Sequence, residues 1–263
     1  MAHLPVIVGF GGVNPAGRSS GHHGYRRLVA DSLPAARRDS TYAALASLMN
    51  LDPGAPDIDY INSHTLIRKL EDNLFDPSAI SLNKSAKLRP GGGPITFNAR
   101  ANQLPANLPD SWQVRENGGS EVTVTIDGDL EVFFPDQRTS KVNSAGQLPT
   151  GFKPDSLYQA RSHPRGLQLT VYGASDAINS LGIPWSEVRA RVPADRISVY
   201  ASSAMGQLDT NGSGGMLQAP FMGKRVSSKN CPLGLAEMTA DFINAYILGS
   251  VGCTGANIEI GRA

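Results

Sequence analysis

Residues 163–183 read HPRGLQLTVYGASDAINSLGI, and this stretch decides the fold. Leu167, Val171, Ala174, Ile178 and Leu181 recur at spacings of four, three, four and three. That period predicts a helix with one apolar face. Pro164 sits where a first-turn proline belongs, and Gly182 supplies the stop. Downstream, 185–192 predicts a second, short helix, and RISVYAS at 196–202 predicts a strand that runs into a glycine-rich loop at 206–215. Residues 235–248 carry Met238, Phe242, Ile243, Tyr246 and Ile247 with little polar surface. They predict a helix buried nearly all round and ended by Gly249. Upstream, the apolar run 5–10 stops at Gly11-Gly12 and predicts a buried strand followed by a turn. Helices are expected over 24–33 and 41–49. Strands alternating with helices indicate an α/β layered fold.

The character of the chain changes between residues 51 and 150. Proline and glycine punctuate short pieces such as LRPGGGP at 88–94. One stretch alternates clearly: Val122, Val124 and Ile126 interleave with Thr123 and Thr125, and Asp127-Gly128 follows. This predicts a half-buried strand leading into a hairpin turn. The expected organisation is therefore 1–50, an irregular accessory insertion at 51–150, and 151–263.

Composition removes several function classes. The 263 residues include 24 basic and 23 acidic side chains, a net charge of +1, with 40% hydrophobic residues. That balance excludes a disordered chain. The basic pairs Arg26-Arg27, Arg37-Arg38 and Lys224-Arg225 are short and scattered, so no nucleic-acid partner is expected. No run of 18 apolar residues exists, so no membrane span is expected. The start, MAHLPVIVGF, lacks the basic region of a signal peptide. Cys231 and Cys253 belong to no CxxC pair. They read as reduced thiols of a cytoplasmic protein rather than zinc ligands.

Each motif that could carry chemistry fails on a particular residue. Gly9 and Gly11 open a dinucleotide fingerprint, but Asn14 stands where its last glycine is needed. Gly223-Lys224 fails as a phosphate loop, with Arg225 and Gln218 at the serine/threonine and first-glycine positions. His22 and His23 are adjacent, so their side chains diverge, and His64 and His163 are isolated. No metal is expected. Ser203 is flanked at the elbow positions by Ala201 and Met205 instead of glycines. Cys253 follows a predicted helix C-terminus, where the dipole disfavours a thiolate, and reads as a small buried residue. The loop SSAMGQLDTNGSGG at 202–215 follows a strand end, a common border of ligand clefts in α/β sheets.

Four segments together carry a family resemblance: residues 1–29, SAGQLPTGFKPDSLY at 144–158, the 163–183 stretch, and GKRVSSKNCPLGLAEMTADFINAYILGSVGCTGA at 223–256. They resemble the amino-terminal portion of the long bacterial, FabY-type β-ketoacyl-[acyl carrier protein] synthases. The resemblance is weakest over 51–140. It implies the amino-terminal half of a thiolase-type αβαβα fold, usually dimeric, and no cofactor. It further implies fatty acid biosynthesis by decarboxylative Claisen condensation. An active-site cysteine takes an acyl group from a thioester, and histidines with a nearby lysine help malonyl-[acyl carrier protein] lose CO₂. Acyl carrier protein and acyl-CoA or malonyl thioesters are the implied partners.

The departure is as informative. Members of the family place their cysteine in a Gly-Ala-Cys-Ala-Thr turn. Matching Thr254-Gly255 to the family puts Gly261 at that cysteine, and the histidines and lysine belong to the carboxyl-terminal half. The chain as written is therefore expected to be an inactive amino-terminal fragment with no catalytic residue of its own. The alternative is a non-catalytic synthase-like module that binds a partner synthase or acyl carrier protein. Met205 and Phe242 are the candidate walls of the acyl pocket.

Overall fold

The computed structural model describes residues 5–73 and 75–255. They form two compact units, one from 5–68 with 144–255 and one within 69–143. The larger unit begins with irregular backbone over 5–12. A tight antiparallel pair follows, β1 (Val13–Asn14) on β2 (Gly17–Arg18). Then come α1 (His23–Leu28), α2 (Ala35–Leu48) and α3 (Ile58–Ser63). Tyr42, Leu45, Ala46, Met49 and Ile61 close a core between α2 and α3. Asp57 caps α3 by accepting from the Tyr60 N–H at 2.9 Å. Next is β3 (Ile67–Lys69).

The smaller unit is built from β4 (Ile80–Leu88), β5 (Ile95–Arg100), β6 (Trp112–Glu116), β7 (Glu121–Ile126) and β8 (Leu130–Arg138). β7 lies centrally in a β5-β7-β6 sheet, with Val124 opposite both Phe97 and Val114. Its inward residues Val122, Val124 and Ile126 are buried against Phe97, Trp112 and Leu130. β4 and β8 pair antiparallel along their whole length, from Ile80↔Arg138 to Leu88↔Leu130.

The chain returns to the larger unit through β9 (Ser144–Gly146), which pairs with β3. There follow α4 (Arg165–Asn179), α5 (Trp185–Arg191), β10 (Ser198–Tyr200), α6 (Ser213–Gln218), α7 (Asn230–Gly234), α8 (Met238–Ile243) and β11 (Cys253–Gly255). β10 and β11 run parallel, in register from Ser198↔Cys253 to Tyr200↔Gly255. Parallel strands need a crossover, and α6 to α8 provide it. α4 buries Leu167 and Val171 against Phe242 of α8. Val199, Ala240 and Leu248 form the adjoining core with Trp185 and Ile197 packed on it.

Several expectations need correcting. The 5–10 run is not a strand and is not buried: Val6, Ile7 and Val8 are 78%, 91% and 71% exposed. A strand needs a neighbour to take its N–H and C=O groups, and no described strand pairs with 5–10. Phe10 tethers its end, the N–H donating to Ser180 Oγ at 3.0 Å and the ring packing on His22. The 51–150 region is more regular and has other bounds. Residues 51–68 and 144–150 pack in the larger unit, because Ile61 fills the α2 core and Arg68 donates to the carbonyls of Gln147 and Leu148. Asp127-Gly128 does not close a hairpin between consecutive strands, since β7 pairs with β5 and β6 while β8 pairs with β4. The 235–248 helix is half-buried. α8 gives way to a π turn over Asn244–Leu248, and Leu235 and Tyr246 remain exposed. Cys253 and Cys231 are both exposed.

Candidate functional site

The glycine-rich loop is wound onto the end of β10. The Ser203 N–H donates to the Ala236 carbonyl at 3.2 Å, and the Gln207 N–H to the Gly234 carbonyl at 3.0 Å. Ser213 Oγ–H donates to the Gln207 carbonyl at 2.9 Å. The buried Asn230 amide ties the loop from below, donating to the Thr210 and Gly212 carbonyls at 3.0 Å each. Gly206 has φ +67° and lies so close to the Gly234 carbonyl that no Cβ fits. The Asp209 carboxylate accepts from the Arg165 N–H at 2.6 Å, fixing the loop to the start of α4.

The β10–β11 pair forms the floor beside this loop. The Ala201 N–H donates to the Gly255 carbonyl at 3.3 Å, extending the register by one step. The chain thus leaves β11 beside the loop and continues toward Gly261, which lies outside the described residues. Ser202 Oγ is buried there without a hydrogen-bond partner. Ser203 Oγ–H is spent on the Gly206 carbonyl at 3.1 Å, so it faces no histidine base.

A second polar centre holds the opposite end of α4. Asp176 is buried, and its carboxylate accepts from the Gly12 N–H at 3.1 Å and the Ser20 N–H at 3.1 Å. It also accepts from Ser20 Oγ–H at 2.6 Å and pairs with Arg18 Nε at 3.2 Å. The 12–20 hairpin is thereby stapled to α4. Gly11 permits this, because any Cβ there would strike the Ala177 backbone. The sequence reading missed Asp176, which lies off the apolar stripe. Its one signal was a lone acid in a helix run of small residues, Gly173, Ala174 and Ala177.

His163 sits in an aromatic cluster, edge-on to Phe242 at 4.9 Å and near Tyr158 and Tyr246. Burial lowers its pKa, while burial and then Tyr246 push Tyr158 up to about 12. Tyr158 Oη and His163 Nδ1 share a hydrogen bond at 3.2 Å. Of the two wall candidates, Phe242 is buried against Leu167 and Val171, while Met205 is 75% exposed. His22 and His23 diverge as expected: His22 packs on Phe10 and His23 lies in α1. Among the described residues no group of three His, Cys, Asp or Glu could hold a metal ion, and no helix is long and apolar enough to cross a membrane.

No protein-family profile matches the chain. It is 46% identical over 276 aligned residues to the β-ketoacyl-[acyl-carrier-protein] synthase FabY of Pseudomonas aeruginosa, covering 97% of this chain and 44% of that protein. The crystal structure of the noncanonical ketosynthase FabY from P. aeruginosa superposes with a TM-score of 0.86 at 44% identity, over 98% of this chain and 43% of that one. The chain thus spans somewhat under half the length of the relative it matches. In sequence and in fold the chain is similar to a portion of the FabY β-ketoacyl-[acyl-carrier-protein] synthase.

Proposed function

We propose that these residues are the amino-terminal portion of a synthase that condenses an acyl thioester with malonyl-[acyl carrier protein] in fatty acid biosynthesis. The observation that carries this reading is the likeness to the FabY synthase of P. aeruginosa, 46% identical over 97% of this chain with a TM-score of 0.86 to its crystal structure. Acyl carrier protein and acyl or malonyl thioesters are the partners of the whole enzyme. The large apolar side chains left in solvent, Phe221 and Met205 among them, suit a homodimer. Two exposed, unpaired thiols suit the cytoplasm.

The 263 residues alone are inert in this reaction. Gly261 offers no nucleophile, and no histidine follows His163 in the sequence. Ser203 is committed to a carbonyl, and neither cysteine has a described base beside it. The test is intact-mass spectrometry after incubation with acetyl-CoA and with an acyl-[acyl carrier protein]. An unmodified mass is expected. A stable thioester on Cys253 or Cys231 would overturn the assignment of these residues as scaffold.

A further inference from the structure

A cavity of about 280 Å³ opens in the larger unit between α2, the 152–157 turn and α4, beside the Asp176–Arg18 pair. Its polar wall carries Arg18, His23, Lys153 and Tyr172 beside the neutral Ser47, Asn50 and Ser156, and no aspartate or glutamate lines it. Its apolar floor includes Leu48, Phe152 and Leu157. This volume lies near the lower end of ligand pockets, about 300–1,000 Å³, so it suits a small molecule.

The two cations on this wall, Arg18 and Lys153, face no lining carboxylate. Asp176 holds Arg18 through Nε at 3.2 Å, which aims the guanidinium and leaves its terminal nitrogens without a described acceptor. Lys153 Nζ and Tyr172 Oη likewise have no acceptor among the described residues. Burial, then Asp176, raises the Tyr172 pKa, so the phenol keeps its proton to donate. Burial and then the Arg18 and Arg26 charges lower that of His23 against the smaller opposing pull of Asp176, so its imidazole is neutral. His23 Nδ1 is buried with no hydrogen-bond partner. Buried polar atoms are nearly always satisfied, so an orphan beside this cavity points to a hydrogen bond that a bound molecule would complete. The Phe152 ring, edge-on to Tyr172 at 4.9 Å, fixes the phenol against the floor.

We propose that this cavity binds a small anion with an apolar tail, its carboxylate or phosphate head between Arg18 and Lys153 and its tail on Leu48, Phe152 and Leu157. Two cations with a protonated phenol recognise the head through charge-assisted hydrogen bonds. The floor excludes a fully hydrated ion. The site is separate from the β10–β11 floor and does not depend on the synthase reading.

The test titrates the full chain, in whatever oligomer it forms, with hexanoate, hexyl phosphate, inorganic phosphate and hexanol, following backbone amide shifts. Saturable binding at millimolar concentration is expected for hexanoate, hexyl phosphate or both, with chemical-shift changes at residues 48, 153, 157 and 172. Whichever binds more tightly identifies the head group. Lys153 is exposed, so Lys153→Gln is expected to leave the fold intact and weaken binding about tenfold. Tyr172→Phe keeps the ring packing and is expected to weaken it several-fold. Hexanol binding as tightly as the anions would overturn anion recognition. Inorganic phosphate binding as tightly as hexyl phosphate would overturn the tail site. Absence of saturable binding by either amphipathic anion, or full binding by Lys153→Gln, would overturn the proposal.

Discussion

Two apolar stretches of similar character meet opposite fates. Val122, Val124 and Ile126 in β7 are buried, while Val6, Ile7 and Val8 stand in solvent. β7 has a hydrogen-bonded neighbour on each side, and residues 5–8 have none among the described residues. Apolar patterning supplies a face to bury, and a strand forms only where neighbours take its backbone groups. The smaller unit contains both neighbours of β7 within 95–126. The larger unit leaves exposed apolar residues, Val6, Ile7, Met205 and Phe221, that call for a cover.

The sharpest way to break this comparison is through the two cores. Ile126→Ala empties a fully buried site in the smaller unit and is expected to cost about 2–5 kcal/mol. Hydrogen exchange is expected to show lost protection over β5 to β7 and retained protection in α4. Leu167→Ala is expected to do the reverse at a similar cost. Loss of protection in both units from either variant would show that the smaller unit's core is not self-sufficient.

Asp176→Asn comes next. It keeps shape but removes the charge opposite Arg18 and weakens three accepted hydrogen bonds. A loss of about 1–3 kcal/mol is expected in urea unfolding, with the 12–20 hairpin the first segment to exchange. An unchanged midpoint would remove the staple from the account.

Smaller effects sharpen the exposed side of the comparison. Phe221→Ser with Ile7→Ser is expected to raise the concentration needed for self-association about tenfold or more, read by analytical ultracentrifugation. Unchanged association would mean that these residues are not what the unit covers. The mildest effect concerns pH. Burial lowers His163 and His23 from 6.5, so the folded state favours neutral rings. Their contribution is complete above 6.5 and shrinks as pH falls through 6.5 toward their lowered values, where the unfolded chain takes up protons first. The urea midpoint is expected to fall across that window, and less so in His163→Phe. A flat profile would contradict the burial of these rings.

What was legible in the sequence was local. The stripe of α4 and the alternation of β7 each announce one period, and each forms where it was read. The β4–β8 ribbon was not legible: ISLNKSAKL is largely exposed on both faces, and its register depends on a partner about fifty residues away. Residues 5–10 and Cys253 were misread for one reason, that apolar or small side chains were assigned to an interior that their neighbours do not build. The glycine loop, read as following a strand end, does follow β10. Asp176 was passed over because its four partners come from residues 12–20, which no helical period brings together.

The central claim is that β10, the glycine loop and β11 carry the chain to a synthase's nucleophile turn. The direct measurement is condensation by a chimera that continues this sequence after Gly255 with a family-type tail, supplying Gly-Ala-Cys-Ala-Thr, both histidines and the lysine. The account predicts β-ketoacyl product and CO₂ from an acyl primer and malonyl-[acyl carrier protein]. Acyl transfer is expected to vanish when the supplied cysteine is replaced by alanine. A folded, dimeric chimera showing neither condensation nor malonyl decarboxylation would contradict it.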